Sequence, residues 1–199
     1  MLSIGLTGNI AAGKSTVVDL FRRWGAAVID ADELVRQAQA PGTPVFDAIV
    51  RRFGPDVVAA DGTLDRGRLR TLVLAEPAAL ADLNAIVHPE VQRRRLSRLA
   101  QARAEGARIV VNDIPLLFEA ADPAEFDAIV LVDAPESIRF ERLVRLRGLD
   151  PAAARGLIDA QMPASAKRSR SDYVIDNGGD IAALEHSAAE VWRALLRRA

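Results

Sequence analysis

The 199-residue chain has no cysteine, only two lysines against 24 arginines, and aromatic residues at 5% of positions. The lack of cysteine excludes disulfides and thiolate metal sites and suits a reducing compartment. No apolar run approaches the roughly 18 residues of a membrane-spanning helix. With 26 basic and 27 acidic residues the net charge is −1, so neither nucleic acid nor a membrane surface is expected as a partner. A signal peptide is not expected either, because a strand-like segment begins at residue 2 and leads directly into a motif that needs it. A cytoplasmic enzyme is the simplest expectation.

Scarce lysine gives weight to where lysine does stand. Lys14 lies in Gly8-Asn9-Ile10-Ala11-Ala12-Gly13-Lys14-Ser15, a match to the phosphate-binding P-loop pattern G-x-x-x-x-G-K-[ST]. At ordinary residue frequencies that pattern arises by chance in roughly one chain of this length per hundred. Leu2 to Thr7 reads as a short buried strand, and Thr16 to Trp24 as a helix with Val17, Leu20, Phe21 and Trp24 at helical spacing. A loop joining a strand to a helix N-terminus offers phosphate its unpaired N–H groups and the positive end of the helix dipole. Asn9 to Thr16 are thus expected to hold a nucleotide's phosphates. Lys14 adds a compact charge at the β- and γ-phosphates, and the Ser15 hydroxyl is the expected ligand to Mg²⁺. The alternative is an ordinary glycine turn ahead of a helix.

Four further apolar segments predict strands: Ala26 to Ile29, Arg108 to Asn112, Ala128 to Val132 and Tyr173 to Ile175. Several are continuous Val/Ile/Leu runs, which suits a parallel sheet covered on both faces. Helical patterns lie around 33–40, 66–104, 136–147, 151–161 and 180–197. The fold class is therefore α/β. Loop signals at Pro41-Gly42, Gly54-Pro55 and Asp61-Gly62, then a helical run broken at His88-Pro89, fill an interval too long for one crossover between strands. A helical substrate-binding insertion is expected there.

Asp30 and Asp32 follow the second apolar strand, at the edge where open α/β sheets bind ligands. Asp32 is a candidate to orient or deprotonate an attacking hydroxyl; the alternative is an N-cap for the helix beginning near Glu33. Asp113 ends another apolar strand, where a carboxylate can hold a Mg²⁺-bound water, contact substrate or cap a loop. Arg139, Arg142, Arg145 and Arg147 precede Gly148 and a further helix, an arrangement suited to a lid from which one or two arginines reach phosphate. Arg93, Arg94, Arg95, Arg98 and Arg103 are expected to form a solvated helix face, since the chain's charge is balanced. His88 is either a substrate contact or a helix break, and His186 is structural.

These segments together resemble the dephospho-coenzyme A kinases. The resemblance runs through Ile4 to Gly8 and the P-loop, Ile29-Asp30-Ala31-Asp32, Phe53-Gly54, Asp61 to Arg66, His88-Pro89, Asp113-Ile114-Pro115-Leu116-Leu117-Phe118-Glu119, Gln161 and Asp172 to Gly178. It implies ATP-dependent phosphorylation of the ribose 3′-hydroxyl of dephospho-coenzyme A, the last step of coenzyme A biosynthesis, with ATP and Mg²⁺. It implies a P-loop NTPase fold: a five-stranded parallel sheet flanked by helices, with a core of 1–33, 105–135 and 170–199. A helical acceptor-binding insertion over about 34–104 and a lid over about 136–169 complete it. Asp32 is the implied base, with Lys14, Arg142, Arg145 and Arg147 as the other catalytic candidates. Thr7, Asp32, His88, Asp113, Pro115 and Leu116 are implied at the acceptor, Ser15 and Asp113 at the metal, and Asn177 and Gly178 near adenine. Where the family's lid turn usually carries arginine this chain has Leu146, between Arg145 and Arg147. Another P-loop nucleotide or small-metabolite kinase shares these parts. A P-loop GTPase is poorly supported because neither Lys14 nor Lys167 stands in a guanine-reading [NT]-K-x-D motif. A Rossmann dehydrogenase is poorly supported because no G-x-G-x-x-G opens the first helix.

Overall fold

Short runs of β-branched and aliphatic residues, each ending in an acid or a glycine, build the sheet. In the computed structural model, which describes residues 1–199 apart from the side chain of Ala120, β1 (Leu2–Gly8), β2 (Ala27–Asp30), β3 (Ile109–Asp113), β4 (Ala128–Asp133) and β5 (Tyr173–Asp176) form one parallel sheet. Its order is β2-β3-β1-β4-β5. β1 is central: Leu6 pairs with Asp113 on one side and with Val130 on the other. Burial on both faces explains the lack of polar alternation, and Val110, Val111, Val130 and Val132 are completely buried.

Each strand runs one or two residues beyond its last apolar position. β2, β3, β4 and β5 all end in aspartate, and all five strands present their C-terminal ends to the same edge. That edge is where the loops that carry chemistry emerge.

The chain forms two compact units, Met1–Ile29 with Ala102–Ala199, and Asp30–Gln101. In the first, α1 (Lys14–Arg23) and α10 (Ile181–Arg198) pack on the sheet. Phe21, Trp24 and Trp192 stack there with ring centroids 5.2, 5.9 and 6.1 Å apart. A fully buried Phe or Leu in such a layer contributes about 1.5–3 kcal/mol. Thus three of the few aromatic side chains are spent on fixing α1, and with α1 the end of the P-loop.

The second unit holds α2 (Ala31–Ala38), α3 (Pro44–Phe53), α4 (Arg66–Ala75) and most of α5 (Pro77–Ala104) around its own core of Val45, Ile49, Val57, Leu64, Leu69 and Val73. α3 is not among the predicted helices. It is bounded by the loop signals at Pro41-Gly42 and Gly54-Pro55, starts with Pro44 at its first position, and is capped by the Thr43 hydroxyl accepting from Phe46 N–H at 3.1 Å.

The expected break at His88-Pro89 does not occur: α5 continues through Pro89 for 28 residues. Pro89 removes one N–H from the helix ladder, at a cost of about 3 kcal/mol. Val87 and Val91 on either side of it pack into the unit's core and hold the helix together.

After β3 come α6 (Leu117–Ala120) and, past β4, α7 (Glu136–Glu141), a π-helical turn over Arg142–Leu146, α8 (Pro151–Asp159) and α9 (Ala164–Arg168). Arg147 N–H bonds Arg142 O, five residues back, at 3.2 Å. The expected single helix over 136–147 therefore changes register halfway. Among the described residues no helix is long and apolar enough to cross a membrane.

Candidate functional site

Gly8 leaves the sheet at its centre, where a Cβ would stand 2.7 Å from Val132 O, closer than any real side chain allows. Ala11 then takes φ 59° and Gly13 takes φ 92°, so the loop turns twice through left-handed backbone before α1 begins at Lys14. Such a path directs successive N–H groups into one concavity. Of the amides opening α1, Thr16 N–H bonds Gly13 O at 3.1 Å, while those of Lys14 and Ser15 have no carbonyl partner among the described residues, and the Ser15 side chain is exposed beside them.

The loop's carbonyls are held from outside. Asn177 Nδ2 donates to Ala12 O at 2.8 Å. Arg142 donates to Ala11 O at 3.2 Å and to Asn177 O and Oδ1 at 3.1 and 3.3 Å. Asn177 is itself buried and fixed by its N–H on Asp133 O at 2.7 Å. Gly178 lies against Pro135, where an added Cβ would stand 3.1 Å from the proline ring, a tight contact. The Ala11 and Ala12 carbonyls are thus fixed, and within the loop Ala12 N–H bonds Asn9 O at 3.0 Å.

The four strand-end aspartates are each engaged, two of them by one arginine. Asp113 is ion-paired with Lys14 Nζ. Arg168 bridges Asp133 and Asp176, at 2.8 and 2.7 Å, across neighbouring strand ends, and Asp176 first and Asp133 second push its guanidinium pKa above the usual arginine value. Asp30 accepts from Glu33 N–H at 2.9 Å and is the N-cap of α2. The capping alternative considered for Asp32 thus belongs to its neighbour. Asp32 stands in the first turn of α2, exposed, with no hydrogen bond among the described residues.

Other expected contacts separate into touching and supporting. Thr7 is completely buried and its hydroxyl donates to Pro115 O at 3.0 Å, so it supports the loop after β3. Leu116 is exposed at the tip of that loop, while Leu117 and Phe118 anchor it in a cluster with Phe126 and Ile129. His88 is exposed in the middle of α5, within the second unit. Of the lid arginines, Arg142 reaches the P-loop, Arg145 is exposed and paired with Glu141 at 2.8 Å, and Arg147 is exposed. Leu146 is 80% exposed at the end of the π turn. The arginines near 93–103 form a solvated face, with Arg93 and Arg94 paired to Glu90.

Three residues around the site carry no assigned role in the sequence. Gln161 Oε1 accepts from Ile10 N–H at 2.7 Å. Lys167 and Glu119 form an ion pair at 2.9 Å. Gln161 and Glu119 are marked only by standing among the segments that resemble the family, and Lys167 only by the scarcity of lysine.

The family described as Dephospho-CoA kinase matches this chain over residues 2–183. The chain is 46% identical to a dephospho-CoA kinase of Syntrophotalea carbinolica over 91% of its own length and 86% of the relative's. It is 44% identical to one of Streptomyces avermitilis over 100% and 96% of the two lengths. Among solved structures, the crystal structure of TT1252 from Thermus thermophilus superposes with a TM-score of 0.84 at 36% identity, covering 98% of this chain and 97% of that one.

Proposed function

The chain belongs to the dephospho-CoA kinase family, whose reaction carries a phosphoryl group from ATP to dephospho-coenzyme A in the last step of coenzyme A biosynthesis, and we propose a division of that work among its residues. The amides of the Asn9–Thr16 loop, apart from the Ile10, Ala12 and Thr16 N–H groups that are bonded within the protein, cradle the phosphates of ATP, and Lys14 moves with the charge on the transferring group. The observation that carries this is the convergence of Asp113, Arg142 and Asn177 on the Gly8–Ser15 loop and its lysine. Asp113 holds Lys14 extended along the strand-end edge until phosphate competes for it.

Asp32 orients the ribose 3′-hydroxyl and takes its proton. Phosphoryl transfer makes little bond to the nucleophile in a loose transition state, so orientation contributes more than early deprotonation. Support comes from its free carboxylate, the helix-capping duty having gone to Asp30. His88, Pro115 and Leu116 are acceptor-binding residues, and Thr7 acts through Pro115. Arg142 is the lid arginine at the phosphates, and Asn177 with Gly178 borders the adenine.

Mg²⁺ prefers a few oxygen ligands and keeps much of its water, arriving with phosphate. The exposed Ser15 hydroxyl, which has no hydrogen bond among the described residues, and the Asp113 carboxylate suit it. Held there with ATP, it would supply positive charge to offset the negative charge developing on the transferring phosphate. A cytoplasmic location belongs to the same proposal, supported by a chain with no cysteine to oxidise.

The test is ADP release with ATP and Mg²⁺ across dephospho-coenzyme A, adenosine, nucleoside monophosphates and pantothenate. Turnover confined to dephospho-coenzyme A is expected. Turnover confined to a nucleoside monophosphate would overturn the assignment.

A further inference from the structure

We infer that Gln161 is a positioning residue for the phosphate loop, a role that rests on Gly8–Ser15 being the ATP-phosphate site. Between α8 and α9, Gln161 Oε1 accepts from Ile10 N–H at 2.7 Å and Met162 O accepts from Asn9 Nδ2 at 3.4 Å. Two consecutive residues at the loop's entry are tied to two consecutive residues about 150 positions later.

Left-handed backbone at Ala11, φ 59°, is disfavoured for a residue with a side chain and persists only where its surroundings impose it. Here those surroundings are bonds on either side of it. Gln161 takes the N–H of the preceding residue, and Arg142 donates to the Ala11 carbonyl. Both come from the segment over 136–169, one near its start and one near its end. Ile10 and Ala11 also pack their side chains against that segment's own small core of Leu143, Ala154 and Ile158.

Gln161 can hold the loop because the chain just beyond it is anchored. Lys167 is fully buried against Glu119, Arg168 bridges Asp133 and Asp176, and the Arg170 guanidinium lies 4.6 Å from the Phe118 ring centre. Three closely spaced contacts fix α9 and the residues after it to the post-β3 loop and the sheet edge. The α8–α9 junction is therefore a firm support from which a side chain can set the Ile10 peptide.

Glutamine suits that place chemically. It presents an acceptor to Ile10 N–H without bringing negative charge to a loop that must hold a triphosphate, as glutamate would. Its Nε2 keeps donors that have no acceptor among the described residues.

Amide hydrogen exchange at Ile10, ATP binding by titration calorimetry and steady-state kinetics on full-length wild type and Gln161→Ala test this. In the variant without nucleotide, Ile10 exchange is expected to accelerate about tenfold, in proportion to one lost hydrogen bond. kcat/KM for ATP is expected to fall about tenfold, with KM for the acceptor within about twofold and the melting temperature little changed. Unchanged Ile10 exchange, or faster exchange with unchanged kcat/KM for ATP, would overturn the inference. So would a loss of activity that merely tracks a fall in melting temperature and affects both substrates alike. Failure of the wild type itself to bind ATP would instead overturn the reading of the loop on which the inference stands.

Discussion

Lys167 Nζ lies 2.9 Å from Glu119 Oε1, with the lysine side chain fully buried and the glutamate side chain 27% exposed. The chain's two lysines are thus both paired with acids of the Asp113–Glu119 segment, Lys14 with the first and Lys167 with the last. The first pair lies at the P-loop, and the second fastens the loop after β3 to α9.

The unequal burial of that second pair predicts unequal mutants. Glu119→Gln leaves an ammonium with no access to water and no counter-charge, and is expected to cost about 3–5 kcal/mol. Lys167→Met removes the buried charge, and the remaining carboxylate can reach solvent, so its cost is expected to stay below about 2 kcal/mol. Urea denaturation of both variants checks the order. Equal losses, or a larger loss for Lys167→Met, would refute this account of the pair.

Asp30 and Asp32 separate in the same manner. Asp30 caps α2 through Glu33 N–H, and Asp30→Ala should cost about 1 kcal/mol of stability. The Asp32 carboxylate makes no hydrogen bond among the described residues and only an exposed charge interaction with Arg36, so Asp32→Asn should leave stability nearly unchanged and lower kcat by about 10²-fold or more. Denaturation curves and steady-state kinetics on the two variants separate the roles. Near wild-type turnover by Asp32→Asn would remove Asp32 from the chemistry.

How far these features are legible in sequence depends on their range along the chain. The five strands and the P-loop rest on local patterns, continuous apolar runs and fixed glycine spacing, and the structure places them within a residue or two of expectation. Predicted strand ends fall short because an apolar pattern stops before the terminal aspartate, which is where the functional edge begins. Pro89 reads as a break because its local cost is real; the packing of Val87 and Val91 that offsets it is tertiary. The choice between Asp30 and Asp32 as cap turns on where α2 starts, a matter of one or two residues. Gln161 with Ile10, and Lys167 with Glu119, are pairs that only the folded chain brings together, so no spacing could announce them.

Two glycines with similar backbone predict different consequences. Gly13 has φ 92°, and a Cβ there would collide with Asn177 Nδ2, whereas Gly25 has φ 101° and nothing within 4 Å. Gly25→Ala should meet backbone strain alone, about 1–2 kcal/mol, with kcat retained. Gly13→Ala should add displacement of Asn177 from Ala12 O and Arg142, and lower kcat/KM for ATP by roughly 10²-fold. Kinetics beside thermal denaturation of both variants decides it. Equal activity of the two would mean that Asn177 does not hold the loop.

Glu90 carries a prediction for acid pH. Hydrogen bonds from Arg93, and next from Arg94, lower its pKa to about 2 from an ordinary 4.5, against an opposing effect of desolvation. A carboxyl held more acidic in the folded state stabilises the fold fully above its unfolded value and loses that contribution as pH falls from about 5 toward 2. The arginines are partly solvated, so the contribution is small, below about 1 kcal/mol. Wild type should therefore melt slightly above Glu90→Gln at pH 7, and the two should converge as pH is lowered to 3. A gap that persists unchanged at pH 3 would show that the difference comes from helix packing instead of charge. A gap that widens on acidification would reverse the sign assigned to the Glu90 pair.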